Sequence, residues 1–349
     1  MTTEMTDVAA QTTTPRVDVH AHLMPTAAFD ALPEGLEAVP DAARGEIALR
    51  VAARDGAVGR GAPEALREVG VHRERQRDRG VDISLTGPWI DMVKAATDAA
   101  TQAAWCSAIN RALAAATRGC GHTRFLAALP DLDGAAAADA LDEALELGAV
   151  GGMLSANPSV GTLARGDLDA LWSAAERRRA PLVLHPGEFS PPSRLAEHFM
   201  VNLVGNPFET TLAVGSLIGA EVPERFPGLD LVLVHGGGFF PYQVGRFDHG
   251  FRNAPQLRGY GGRPPREYLM WFRYDTVLFD DEPTRYLLDL VGPDRVLAGS
   301  DCPFAMHDHR PFEVPSCLGL APAEVERVVG GNAVELFGLD VTGAETPGA

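Results

Sequence analysis

Eight short apolar runs, several of them rich in β-branched residues, alternate along this chain with longer Ala- and Leu-rich segments at helical spacing. The runs are Val17–Leu23, Val81–Thr86, Phe125–Leu129, Val150–Leu154, Leu182–His185, Leu229–His235, Thr276–Phe279 and Val296–Ala298. Between them, Ala95–Thr117, Ala135–Leu147, Leu168–Arg179, Thr210–Ala220 and Thr284–Leu290 read as helices. Strand followed by helix, repeated eight times in 349 residues, predicts an α/β fold whose parallel strands close into a (β/α)8 TIM barrel. The competing arrangement is an open, doubly wound sheet; against it, no GxGxxG turn follows any of the runs.

One interval breaks the rhythm. Met24–Arg79 is rich in Gly, Pro and Arg and too long for a simple crossover, so it is expected to be an insertion after the first strand (24–79), with a few short helices over the barrel mouth. Residues 1–15 are polar and aperiodic and read as a disordered leader, and residues 341–349 as a loose tail. Residues 16–340 read as a single domain that ends in a helix near Ala323–Phe337.

Charge and residue usage exclude several classes of function. Thirty Lys+Arg against 47 Asp+Glu leave a formal charge of −17, whereas a binder of phosphate backbones needs a basic face, so no nucleic-acid partner is expected. No run approaches the roughly 18 apolar residues of a membrane span. The N-terminus lacks the basic-then-apolar order of a signal peptide, and a soluble cytoplasmic protein is expected. Cys106, Cys120, Cys302 and Cys317 form no CxxC pair, which argues against a disulfide framework or a thiolate zinc site. Lys94 is the sole lysine, so any Schiff base, or any dimetal centre bridged by a modified lysine, would have to use it.

Histidine placement carries the chemistry. His20 and His22 close the first run as Val-Asp-Val-His-Ala-His, and residues two apart in a strand share a face. His185 ends Pro-Leu-Val-Leu, His235 ends Leu-Val-Leu-Val ahead of three glycines, and Asp301 follows Val-Leu-Ala-Gly-Ser. Active-site groups of a barrel come from the C-terminal ends of its strands. Four strands each ending in an imidazole or carboxylate need a partner that packing does not supply, and one shared divalent metal would serve them all. The His-Gly-Gly-Gly string also fits the oxyanion loop of a serine esterase, but the chain has no GxSxG nucleophile elbow. His72, His122, His198 and His249 belong to no such group and read as structural or surface residues, while His307 and His309 read as loop residues bounding the pocket.

Taken together, VDVHAH, LVLHP, VHGGG and GSDCPF resemble the amidohydrolase-2 family from about Arg16 to Phe337. That family includes aminocarboxymuconate-semialdehyde decarboxylase, resorcylate-type decarboxylases, lactonases and carbon–carbon hydrolases. The resemblance implies that His20, His22, His185 and Asp301 are metal ligands and that His235 is the catalytic histidine acting on the metal-bound water. Several aromatic-acid decarboxylases of the family have Glu in place of the first histidine; this chain keeps His20, as the aminocarboxymuconate-semialdehyde decarboxylase does. Arg246, eleven residues after His235, matches a substrate-carboxylate arginine of that branch, and Arg60 aligns loosely with a second one. A planar guanidinium pairs with a carboxylate through two parallel bonds, so two arginines suit a diacid. One departure stands out: after His185-Pro186 the decarboxylase carries an aromatic and an acidic residue, and this chain has Gly187-Glu188-Phe189. Glu188 is then a rim carboxylate, a partner for a substrate amine or a ligand to a second metal.

The resemblance implies a non-oxidative decarboxylase of a small unsaturated or aromatic-derived acid, with one divalent metal, Zn2+ first and Mn2+, Fe2+ or Co2+ as alternatives. Asp301 or His235 would shuttle protons. In related barrels the arginine matching Arg246 reaches in from a neighbouring subunit, which implies a homodimer. The same site would also serve a hydrolase of a lactone, amide or C–C bond. An iron-dependent oxygenase and a barrel retained only for binding are the remaining alternatives.

Overall fold

The computed structural model describes residues 14–52, 56–187, 193–257, 259–313 and 318–341. Among them, eight parallel strands form the barrel: β1 (Val17–His22), β2 (Ile83–Gly87), β3 (Thr123–Phe125, continued as Ala127–Ala128), β4 (Gly152–Ser155), β5 (Leu182–His185), β6 (Leu231–Leu233), β7 (Phe272–Asp275) and β8 (Val296–Leu297). Each pairs with the next. Within β3 the ladder changes partners: Leu126 N–H donates to Thr86 O and Ala127 N–H to Gly151 O, both at 2.9 Å. The ring closes where Val19 N–H donates to Ala298 O at 3.0 Å, Asp301 N–H to His20 O at 2.7 Å and His22 N–H to Cys302 O at 2.7 Å.

Helices α1 (Val69–Asp78), α2 (Ala99–Thr117), α3 (Gly134–Glu146), α4 (Asp169–Arg178), α5 (Asn206–Gly219), α6 (Phe240–Asn253) and α7 (Asp281–Val291) separate the strands. Three of them begin at an aspartate whose side chain accepts orphan backbone N–H groups: Asp98 for α2, Asp133 for α3 and Asp280 for α7. Val17, Val19, Ile83, Leu85, Met153, Val183, Val232, Val234 and Leu297 fill the barrel interior. A final helical run over residues 322–337 packs Ala333 and Phe337 onto this cluster, with Phe337 beside Gly151 at the N-terminal end of the strands.

Two expectations are corrected. The seventh strand is Phe272–Asp275, ahead of the apolar run Thr276–Phe279. That run is apolar for another reason: Val277, Leu278 and Phe279 line a cavity at the barrel mouth. The insertion is also more than short helices. Leu36–Asp41, Glu46–Val51 and Ala57–Val58 form an antiparallel sheet, placed between the single helical turns Thr26–Phe29 and Glu64–Arg67. It lays Leu49 and Val51 near Met92 and Ala95, just beyond the C-terminal end of β2. The expected leader lies, apart from Thr14 and Pro15, outside the described residues, as does the tail after Val341.

The seam between β1 and β8 aims the first two histidines. Pairing of β1 with β2 shifts register between Asp18 and Ala21. Val17 and Val19 therefore enter the interior, and beyond the shift His20 and His22 both turn toward Asp301. Asp18, fully buried, accepts from Ser300 Oγ at 2.6 Å, Ser300 N–H at 3.0 Å, Gln76 Nε2 at 3.0 Å and His20 N–H at 3.1 Å. Burial pushes its carboxyl up, and these bonds pull it part of the way back. Asp18→Ala leaves several buried donors unpaired and is expected to destabilise the metal-free protein by on the order of 3 kcal/mol in urea unfolding. A loss below about 1 kcal/mol would contradict this account of the seam.

Candidate active site

All five residues singled out at the strand ends meet at the barrel mouth. His20 Nε2 lies 3.3 Å and His22 Nε2 3.1 Å from Asp301 Oδ1, and His185 Nε2 lies 3.8 Å from the same oxygen. His235 Nε2 stands 3.6 Å from Asp301 Oδ2. The imidazoles pack edge to face, with the His22 and His185 ring centres 4.7 Å apart and those of His20 and His185 5.0 Å apart.

Each buried ring is oriented from behind. His20 Nδ1 bonds Asp275 Oδ2 at 2.6 Å, His22 Nδ1 the Pro88 carbonyl at 3.0 Å and His185 Nδ1 the Pro186 carbonyl at 2.6 Å. These acceptors bond the Nδ1 proton and turn each Nε2 toward Asp301. The local chain is built for the purpose. His235 and Asp301 have φ of 55° and 62°, left-handed values that non-glycine residues adopt at a cost of about 1–3 kcal/mol. Gly236, Gly237 and Gly238 continue at positive φ, and a Cβ on them would come within 2.5 Å of Leu278, 2.7 Å of Tyr274 and 2.3 Å of the Pro207 carbonyl respectively. The triple glycine thus holds His235 in a turn that no side chain fits.

The donor set suits a metal ion. His20 Nε2 and His185 Nε2 are buried and make no hydrogen bond, a costly condition unless something else fills the space between them. His20, His185, His235 and Asp301 each offer one donor atom, all within 4.8 Å of one another. His22 stands beside this group through Asp301 Oδ1, so the residues offer one imidazole more than the three expected. Burial holds His185 down to about 3, and it is therefore neutral and ready to bind. Burial also pushes the His20 imidazolium down, but Asp301 and Asp275 outweigh that and raise it to about 10. Desolvation opposes the charge on Asp301, yet His20 and the neighbouring imidazoles hold its carboxyl well below the usual range. Imidazole nitrogens with one carboxylate fit zinc, manganese, iron or cobalt.

Above the cluster opens a cavity of about 350 Å3 lined by His235, Asp301, Tyr242, Met306 and Phe279 among others, within the usual range for a small-molecule site. A row of rings reaches outward from His22, beside this cavity: Phe304 lies 4.9 Å from His22, Trp89 lies 5.5 Å from Phe304, and the Arg60 guanidinium sits 5.0 Å over Trp89. Arg60 also lies 3.6 Å from Asp91. Arg246 is exposed on α6 and does not line the cavity of its own chain. His307 contacts Arg79 and the Phe304 carbonyl, while its neighbour Met306 lines the cavity. His72 is buried against Ser84, as a structural histidine should be. Glu188 lies outside the described residues.

Sequence reasoning missed Asp275, Trp89 and Phe304. Asp275 had a signal, since it too is a polar residue closing a strand, but the strand was placed four residues late. Its carboxylate also accepts from Gly236 N–H at 2.9 Å and Val277 N–H at 3.1 Å, so one residue fixes both His20 and the turn after His235. Asp275→Asn is expected to weaken metal retention about 10- to 100-fold in a chelator competition; retention equal to that of the unaltered protein would contradict the orienting role.

The comparisons with known proteins agree with this geometry. The amidohydrolase family model matches residues 17–339. The 2-amino-3-carboxymuconate-6-semialdehyde decarboxylase of Dictyostelium discoideum is 34% identical over 198 residues, 56% of this chain and 55% of that protein. The chain spans about half the length of the first curated relatives it matches. Among solved structures, Metarhizium anisopliae IDCase in its apo form superposes with a TM-score of 0.78 at 20% identity, covering 93% of this chain and 97% of that one. A dihydroxybenzoic acid decarboxylase from Polaromonas, with bound manganese and 2-nitroresorcinol, gives a TM-score of 0.74 at 20% identity, covering 93% of this chain and 97% of that one. The chain belongs to the amidohydrolase family and has its barrel fold.

Proposed function

We propose that this protein is a metal-dependent, non-oxidative decarboxylase of a small unsaturated or aromatic-derived carboxylic acid, built as a single domain from residue 16 to 340. The observation that carries the reading is the convergence of four imidazoles and Asp301, with Nε2 of His20 and of His185 buried and unbonded, beneath a cavity of substrate size. The decarboxylase activity of the curated relatives supports this choice of reaction. His20, His22, His185 and Asp301 are assigned as ligands to one divalent ion, zinc first; the manganese bound by the Polaromonas protein supports that metal as the alternative. Such an ion would lower the pKa of a coordinated water and polarise a substrate oxygen.

The chain's own residues do the rest. His235 stands on the cavity wall, where its imidazole would hold a proton, drawn from water and made good by solvent at the end of the cycle, and deliver it to the carbon that loses CO2. In the net reaction the C–COO⁻ bond breaks, CO2 leaves, and the carbon keeps the electron pair and gains one proton. Asp301 borders the same cavity and supports the proton transfer. Arg60, held over Trp89, binds a carboxylate of the substrate.

Arg246 is assigned to the cavity of a second subunit in a homodimer. Phe199, Leu203, Phe208, Leu212 and Phe239 are each exposed, and clustered apolar side chains left in water mark an interaction surface. Leu203 and Phe239 also line the cavity, and Phe239 N–H bonds Thr211 Oγ1 at 2.8 Å, tying the start of α6 to α5. Arg246 lies two turns along α6 from Phe239. No helix among the described residues is long and apolar enough to cross a membrane. Cys106, Cys120 and Cys302 are free, which suits a reducing cytoplasm.

The reaction is tested by giving the metal-loaded protein an aminocarboxymuconate semialdehyde and, separately, dihydroxybenzoates. Equimolar CO2 with loss of a substrate is expected. A cleaved or ring-opened acid without CO2 would make the protein a hydrolase, and oxygen uptake an oxygenase. Roles are tested by complementation. His235→Asn and Arg246→Ala should each cut turnover severely, with His235→Asn keeping one metal per chain. Mixing the two variants should restore about a quarter of the unaltered turnover, because half of the dimers then hold one intact site. Metal loss in His235→Asn would make His235 a ligand, and no recovery on mixing would remove Arg246 from a shared site.

A further inference from the structure

Behind His185 lies a buried cluster that the reaction does not use directly. Asn157 clasps Gly187 at two points: Gly187 N–H donates to Asn157 Oδ1 at 2.8 Å, and Asn157 Nδ2 donates to Gly187 O at 3.0 Å. Asn157 is itself held. Its carbonyl accepts from Lys94 Nζ at 2.6 Å and from Ser155 Oγ at 3.0 Å, and Ser155 Oγ also reaches Asn157 Oδ1 at 3.2 Å. All three side chains are buried.

From this arrangement we infer that Asn157 is a positioning residue for His185, acting through a single peptide plane. The N–H of Gly187 and the C=O of Pro186 belong to the same peptide group and point in opposite directions. Asn157 holds the N–H end, while the C=O end accepts from His185 Nδ1 at 2.6 Å. Fixing one end fixes the other, and with it the turn of the His185 ring and the direction of its Nε2 lone pair. Lys94 completes the device from the side. A Cβ on Gly187 would lie 2.3 Å from Ile90 Cγ2 and 3.0 Å from Lys94 Cδ, so the Lys94 stem and Ile90 occupy the space that a side chain at 187 would need. Glycine is thus the residue that this clasp admits at position 187.

The inference rests on the proposed role of His185 as a metal ligand, and the test separates the two. Asn157→Leu keeps the volume of the side chain and removes both clasping bonds; Asn157→Asp keeps the acceptor for Gly187 N–H. The readouts are metal loss to a chelator, the visible bands of the cobalt-loaded protein and the melting temperature of the metal-free protein. Asn157→Leu is expected to lose metal about 10- to 100-fold more readily and to shift the cobalt bands, with kcat falling more than KM changes. Asn157→Asp should recover most of both. Should Asn157→Leu fail to fold, Lys94→Met, which removes the donor to the Asn157 carbonyl, should move metal loss and cobalt bands the same way by a smaller factor. A folded Asn157→Leu with unchanged retention and cobalt bands, or in its absence a Lys94→Met protein unchanged in both, would overturn the positioning role. An unaltered protein that takes up no metal would overturn the metal site and this inference together.

Discussion

A buried carboxylate ringed by four imidazoles at the floor of a cavity can persist only if its charge is answered, and that demand shapes the whole mouth of the barrel. Asp301 is buried, yet it lies within 4 Å of a nitrogen of His20, His22, His185 and His235. The strands bring these groups from opposite sides of the ring, and no single element could do so. The chain around them makes local concessions. His235 and Asp301 take left-handed backbone, and three glycines accept a turn without side chains. Asp18 and Asp275 are buried to hold neighbouring backbone and ring nitrogens.

Those concessions are connected. Asp275 reaches His20 and the His235 turn at once, while Asp18 ties β1 to Ser300, the residue before Asp301. The interior beneath is plain aliphatic packing that leaves the strands little freedom to shift. Precision at the mouth therefore derives from two sources, a rigid ring below and a few buried carboxylates beside it. The rings of Phe304 and Trp89 lie outside this frame, packed outward from His22.

Much of this was legible in the sequence because barrel strands obey two strong rules. Apolar runs followed by helices mark the ring, and polar residues that close those runs mark the site. The second rule singles out His20, His22, His185, His235 and Asp301, and the fold brings them together. Asp275 escaped because Phe-Arg-Tyr-Asp carries an arginine and no β-branched residue, while the next four residues look more like a strand than the strand does. Their apolar character answers to the cavity rather than to the sheet. The antiparallel sheet of the insertion escaped because Pro40, Gly35 and Gly45 interrupt its alternation. Trp89 and Phe304 carry no local signal, since their packing beside His22 arises only through contacts that the fold creates. The clasp of Asn157 on Gly187 joins residues thirty positions apart by side chain to backbone, a relation that leaves no trace in periodicity.

The central claim is that the strand-end imidazoles and Asp301 exist to hold one ion. X-ray absorption at the metal edge of the purified, reconstituted protein tests it most directly. The account predicts one ion per chain, with imidazole nitrogens and a carboxylate oxygen at about 2.0–2.2 Å. A protein that binds no ion after reconstitution, or an ion surrounded by oxygens without imidazole scattering, would contradict it.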